Sequence, residues 1–215
     1  MILSVDLEGI GPAQVTVDHL TIAGWTGRNL AAVQAHIAEL ALLGVAPPPH
    51  VPMFYRASAS RLSQASTIEV TGSETSGEAE FVLMQHGSRL WVLAGSDHTD
   101  RRVEAYDVTV SKQMCDKPVS GSAWDYGSVA GHWDQLRLRS WADGTLYQDG
   151  PVSGLLSAGA LLAEAPPGRD GSALFGGTVS VIGAIRPALE FRVSLVDPVL
   201  GRDLMFCYQT QVLGS

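Results

Sequence analysis

The run Gly77-Glu78-Ala79-Glu80-Phe81-Val82-Leu83-Met84-Gln85-His86-Gly87-Ser88-Arg89-Leu90-Trp91-Val92-Leu93-Ala94-Gly95-Ser96-Asp97 decides how this chain is read. Two apolar stretches flank a glycine-containing pair, Gly87-Ser88, which predicts an antiparallel hairpin closed by a two-residue turn. That turn fixes the register. His86 faces Arg89, Glu80 faces Gly95, and Glu78 faces Asp97. Glu78 and Glu80 are two residues apart and project from one face, and cross-strand partners share a face. Three carboxylates therefore meet at the open end of the hairpin. Like charges placed opposite one another destabilise a sheet, so the repulsion needs an offset. One reading is a divalent cation, since Mg²⁺ or Mn²⁺ takes about six hard oxygen ligands and leaves places for water and substrate. The other is a solvated polar face whose acids act independently. A slip of one residue would send Asp97 to the opposite face.

Working outward, the 215 residues carry 22 acidic and 14 basic side chains, a formal net charge of −8, with 46% hydrophobic residues. Such a chain can bury a core, and its charge disfavours nucleic acid and anionic membranes as partners. Lys112 and Lys117 are the only lysines, the other cations all being arginine. Cys115 and Cys207 suggest neither a disulfide framework nor a CxxC site. No basic leader and no apolar run of about 20 residues is visible, so a soluble cytoplasmic protein is expected.

The remainder reads as mostly β. Residues 1–23 predict N-terminal strands in a hairpin around Gly9, Gly11 and Pro12. Residues 29–44 predict a helix, with Asn29 as N-cap, apolar residues at helical spacing and Gly44 as C′ residue. Val51–Arg56 predicts a buried extended segment. Residues 67–111 read as mostly strand and 116–130 as an irregular loop or short helix. Asp143-Gly144 joins strands at 134–141 and 145–148, and 153–164 reads as a short helix. Residues 172–182, 189–196 and 203–212 read as closing strands. The expectation is one β-rich domain over 1–215, its core spanning 67–211.

Several segments, in order, resemble the fumarylacetoacetate hydrolase superfamily, especially its compact single-domain members, over roughly residues 24–211. Gly77–Leu83 resembles the family's Glu-x-Glu-apolar run, and Ser96–Arg101 its Asp-x-Thr-x-Arg segment. Val110–Cys115 resembles the stretch with the active-site lysine. Asp143-Gly144 to Gln148-Asp149-Gly150 resembles a family hairpin, and Gly177-Thr178 a Gly-Thr-Pro turn. His36-Ile37-Ala38-Glu39 resembles a His-x-x-Glu pair on an early helix. Three departures stand out. His36 comes three residues late, so an ungapped match places Val33 at the histidine; Val179 replaces the proline; Arg56 replaces a lysine after an aromatic.

The resemblance implies a β-rich α+β fold, a mixed β-sandwich or roll with a few short helices. It implies metal ligands Glu78, Glu80 and Asp97 for Mg²⁺ or Mn²⁺, with Ca²⁺ able to stand in for them in crystals. It implies catalytic roles for His36, Glu39 and Lys112, and substrate binding by Arg56, Arg101 and Thr178. The implied activity is hydrolysis of a C–C bond in a small 2-oxo acid or acylpyruvate through a metal-stabilised enolate. Decarboxylation, isomerisation or hydration of a related oxo acid, or binding without catalysis, are the alternatives. Relatives commonly form homodimers, so a homodimer is expected.

Overall fold

The structure, a computed structural model, describes residues 1–42, 47–166 and 168–214; the side chains of His36, Glu39 and Leu40 lie outside the described residues. The chain begins with β1 (Ile2–Leu7), β2 (Gly11–Thr16) and β3 (His19–Gly24), one strand more than the hairpin expected there. Helix α1 (Leu30–Leu42) and strand β4 (Met53–Ala57) follow. Short strands β5 (Leu62–Ser63), β6 (Thr67–Val70) and β7 (Thr75–Ser76) lead to the hairpin β8 (Ala79–His86) and β9 (Arg89–Ser96). Next come β10 (Thr99–Asp100), α2 (Arg101–Glu104), α3 (Val108–Met114) and β11 (Lys117–Pro118). Strand β12 (Ser122–Asp125), helix α4 (Tyr126–Val129) and the hairpin β13 (Arg137–Ala142) and β14 (Thr145–Pro151) continue the chain. Helix α5 (Ala158–Glu164) and strands β15 (Ser172–Thr178), β16 (Glu190–Asp197) and β17 (Arg202–Val212) complete it.

Two sheets dominate. The larger has the order β2-β1-β12-β9-β8-β15-β3-β4, the smaller β14-β13-β16-β17-β6. Both are mixed: β1 with β12, β15 with β3, and β17 with β6 run parallel. The central hairpin pairs Glu80 with Gly95 and His86 with Arg89, the register its turn dictates. Gly87 supplies the positive φ of +61° that this turn needs.

The uninterrupted apolar run of β8 and β9 reflects burial on both faces. Phe81 and Leu83 join Leu138, Val193, Leu195 and Leu204 in a cluster between the two sheets. Val82, Met84, Trp91 and Leu93 join Leu3, Val5, Val15, Ile22 and Phe175 in a second cluster, made almost wholly of residues from the larger sheet itself. A sheet that covers one of its own faces must curl. The fold is thus the mixed β-sandwich/roll with short helices.

Several local expectations need correction. Residues 101–114 are not strand. The carboxylates of Asp100 and Asp107 cap two short helices by accepting from the N–H groups of Val103 (3.0 Å) and Val110 (2.9 Å), which outweighs the β-branched content of Val108-Thr109-Val110. Within 116–130 the short helix is present as α4, and two short strands, β11 and β12, stand ahead of it where a loop was the other expectation. The helix expected from residue 153 starts at Ala158, where Ser157 caps it. The proposed C′ residue Gly44 lies outside the described residues.

Candidate metal centre

Glu78 stands just before β8, where its carbonyl accepts from the N–H of Asp97 at 3.0 Å and extends the hairpin ladder by one pair. The carboxylates of Glu78, Glu80 and Asp97 each offer an oxygen, all within 4.8 Å of one another. Glu80 and Asp97 are 2% and 1% exposed, so water cannot screen them.

Three cations surround this cluster. Lys112 Nζ on α3 lies 2.5 Å from Asp97 Oδ2, 3.3 Å from Glu104 and 4.0 Å from Glu78. Lys117, fully buried, lies 3.1 Å from Asp97 Oδ1 and donates to the His98 carbonyl at 2.5 Å. Arg101 at the start of α2 bridges Glu78 (3.2 Å) and Glu104 (2.7 Å) and donates to Ser76 Oγ at 2.7 Å. Four acids (Glu78, Glu80, Asp97, Glu104) against three cations (Arg101, Lys112, Lys117) give 3 − 4 = −1 when all are ionised.

Burial and local charge pull these groups apart. Burial raises the Glu80 pKa, repulsion from Asp97 and Glu78 raises it further, and the N–H of Gly177 at 2.7 Å opposes the shift without cancelling it. Burial acts the same way on Asp97, but there Lys112 and Lys117 outweigh it and hold the carboxyl below its usual range. For Lys112 burial is outweighed by Asp97, Glu78 and Glu104, so its pKa rises. Lys117 goes the other way, because its burial exceeds the pull of Asp97. Burial, together with Lys117 and Arg101, pushes His98 down to about 3, so it is neutral at physiological pH.

The residues fit a divalent ion. Glu78, Glu80 and Asp97 each turn an oxygen to a common point, and Asp97 Oδ2 is buried with the Lys112 ammonium beside it. Three carboxylates so grouped, two of them buried, are the donor set a hard cation takes. The cluster opens into a cavity of about 1230 Å³ lined also by Arg101, Glu104, Lys112, Tyr55 and the loop after β15.

Not all the expected site residues meet here. Arg101 and Lys112 line the cavity, as expected. Arg56 does not. Strand alternation on β4 turns Tyr55 into the cavity and leaves Arg56 exposed, hydrogen-bonded to His19 Nδ1 at 3.1 Å. Thr178 lines the cavity, but its hydroxyl donates to the Ala79 carbonyl and accepts from Gln148 Nε2, both at 2.8 Å. Its proton is committed to the fold, so it fastens the loop after β15 rather than offering a donor to substrate. Helix α1 contributes Ala32 and Val33 to the cavity, with Asn29 ahead of it; the side chains of His36 and Glu39 lie outside the described residues.

Three further residues matter to the site although the sequence assigns them no role. Lys117 stands out there only as one of two lysines. Glu104 has no motif position, yet it anchors both Arg101 and Lys112. Gln148, fully buried, accepts from Ala79 N and Ser140 Oγ and donates to Thr178 Oγ1 and the Val179 carbonyl. It thereby ties β14 of the smaller sheet to the strands that carry Glu80 and Gly177. Its signal in the sequence is its place in the 143–150 hairpin that resembles the family's.

The curled mixed sheet sets the class of the fold, which is that of fumarylacetoacetate hydrolase family structures. A fumarylpyruvate hydrolase from Pseudomonas aeruginosa, solved in complex with Mn²⁺ and pyruvate, superposes with a TM-score of 0.66 at 17% identity, covering 99% of this chain and 97% of that one. A yeast protein of the fumarylacetoacetate hydrolase family gives 0.66 at 16% identity, with 91% and 94% covered. A 5-carboxymethyl-2-hydroxymuconate delta-isomerase from Mycobacterium smegmatis gives 0.65 at 16%, with 94% and 82% covered. No curated protein matches the sequence. By sequence the chain belongs to the DUF2848 family, described as a protein of unknown function, whose model matches residues 23–208.

Proposed function

We propose that this protein is a divalent-metal-dependent hydrolase that cleaves a C–C bond in a small 2-oxo acid or acylpyruvate. The observation that carries the reading is the convergence of Glu78, Glu80 and Asp97 within 4.8 Å at the floor of a large cavity. These three residues would hold Mg²⁺ or Mn²⁺, and the bound ion would supply Lewis acidity toward adjacent carboxylate and oxo oxygens.

The chain's own groups do the rest. Lys112 is kept protonated by Asp97, Glu78 and Glu104 and stands beside the cluster, where it offsets negative charge developing on a substrate enolate. Glu104 holds Lys112 and Arg101 in place. Arg101 presents positive charge to a substrate carboxylate while keeping Glu78 oriented. His36, assisted by Glu39, is assigned the activation of water for attack on the distal carbonyl. A homodimer is proposed as the working assembly.

A second reading, isomerase or decarboxylase, has one observation in its favour. Val33, at the place an ungapped match gives to the histidine, lines the cavity. Without a base to activate water, the C–C bond would not be hydrolysed; an enolate would instead arise by loss of CO2 or of an α-proton and be quenched by a proton at carbon. Product analysis on acylpyruvates and oxaloacetate with Mn²⁺ separates the two. Release of pyruvate and a free acid that is lost in His36→Ala supports hydrolysis; a rearranged or decarboxylated product untouched by His36→Ala supports the second.

A further inference from the structure

The cavity lining is of two kinds. Both cations that line it beside the carboxylates are already paired. Arg101 is bound to Glu78 and Glu104, and Lys112 to Asp97 and Glu104. The remaining charged group among the described lining residues is Asp149, held by Arg137 and Arg139. Apart from these groups and Asp149 the described lining is uncharged and mainly apolar, with Val33 from α1, Val108 from α3, Leu155, and Val179, Val181 and Ile185 from the loop after β15, and with Thr26, Asn29 and Ser180 among its neutral polar members. No uncommitted cation faces this wall among the described residues. A second carboxylate on a ligand would meet Glu104 or Asp149 and apolar carbon.

Charge and volume agree with that picture. The cluster's −1 becomes +1 once a divalent ion is added, which matches one carboxylate and no more. The volume of about 1230 Å³ exceeds the few hundred Å³ that suffice for many small ligands. We infer that the substrate is a 2-oxo monocarboxylate bearing an extended apolar tail, its carboxylate and oxo group at the acid cluster and its tail along the Val33–Val108–Val179–Ile185 wall. The inference rests on the metal-centre reading above for the polar end only.

The test is calorimetric binding to the full-length protein with and without Mn²⁺. One series is pyruvate, 2-oxobutanoate, 2-oxohexanoate and 2-oxooctanoate; the other is the diacids 2-oxoglutarate and 2-oxoadipate. In the Mn²⁺-loaded protein, affinity is expected to rise about two- to fourfold per methylene added to the monoacid. Diacids should bind about tenfold or more weakly than monoacids of similar length. Ile185→Lys, at a position 52% exposed and therefore tolerant of the change, should narrow that gap by giving a second carboxylate a partner. A series flat in tail length, or a preference for diacids, overturns the inference while Mn²⁺ binding leaves the metal reading standing. Tail-length dependence that is indifferent to Mn²⁺ contradicts the metal reading and supports the apolar wall.

Discussion

Asp97 holds two ammonium groups at once, and the two are not equivalent. Lys112 contacts the cavity, whereas Lys117 is wholly enclosed and serves Asp97 Oδ1 and the His98 carbonyl. Removing one partner of a buried ion cluster leaves charge uncompensated, so Lys117→Met should lower unfolding free energy by about 3 kcal/mol. Urea denaturation of the metal-free protein checks this, and an unchanged midpoint would contradict the burial argument. Glu80 predicts the opposite sign. It faces two other carboxylates, so Glu80→Gln relieves repulsion, and the amide oxygen can still accept from Gly177 N. The metal-free variant should gain up to about 1 kcal/mol in thermal or urea unfolding. A loss of stability would mean that the three acids do not repel as placed.

At the scale of elements, the site depends on how two turns present their neighbours. Near its end β15 shifts register between Phe175 and Thr178 and passes through Gly177, with φ +102°, where a Cβ would lie 1.8 Å from Thr26 Oγ1. Gly177→Ala therefore combines backbone strain with a steric clash, costing about 3 kcal/mol or more, and it displaces the N–H that Glu80 accepts from. Urea unfolding should register the loss in stability, and titration with Mn²⁺ should register weaker binding. The central hairpin was readable from sequence because a two-residue turn leaves one register, and that register alone carries Glu78, Glu80 and Asp97 to one face. The helices at 101–114 were not, because Asp100 and Asp107 act through single capping bonds that β-branched neighbours mask. Thr178 was readable as a cavity residue but not as a latch, since its partners, Gln148 and Ala79, come from different strands.

For the whole molecule, the β-rich character was legible as a succession of short strands and turns and the sandwich/roll only through the family resemblance, because the curl follows from which faces of one sheet pack together. Charge pairing across the fold sets the acid limit of stability. Burial would raise the Asp197 pKa, but the backbone N–H of Leu200 and the side chains of His132 and Arg202 outweigh it and leave it lowered. A depressed pKa contributes stability that is full above the unfolded value near 3.8 and is lost as pH falls through the folded one. Asp197→Asn should therefore flatten the decline in unfolding free energy below about pH 4, measured by urea titration from roughly pH 2.5 to 6. An acid limb of unchanged steepness would contradict this. Among the described residues no helix is long and apolar enough to cross a membrane. The central claim is that the mouth of the hairpin binds a divalent ion, and titration of metal-free protein with Mn²⁺, followed by calorimetry, tests it most directly. The account predicts one ion per chain in the wild type and loss of that binding in Glu80→Gln. A wild type that binds no Mn²⁺ at about millimolar concentration, or a variant that binds it equally well, would contradict it.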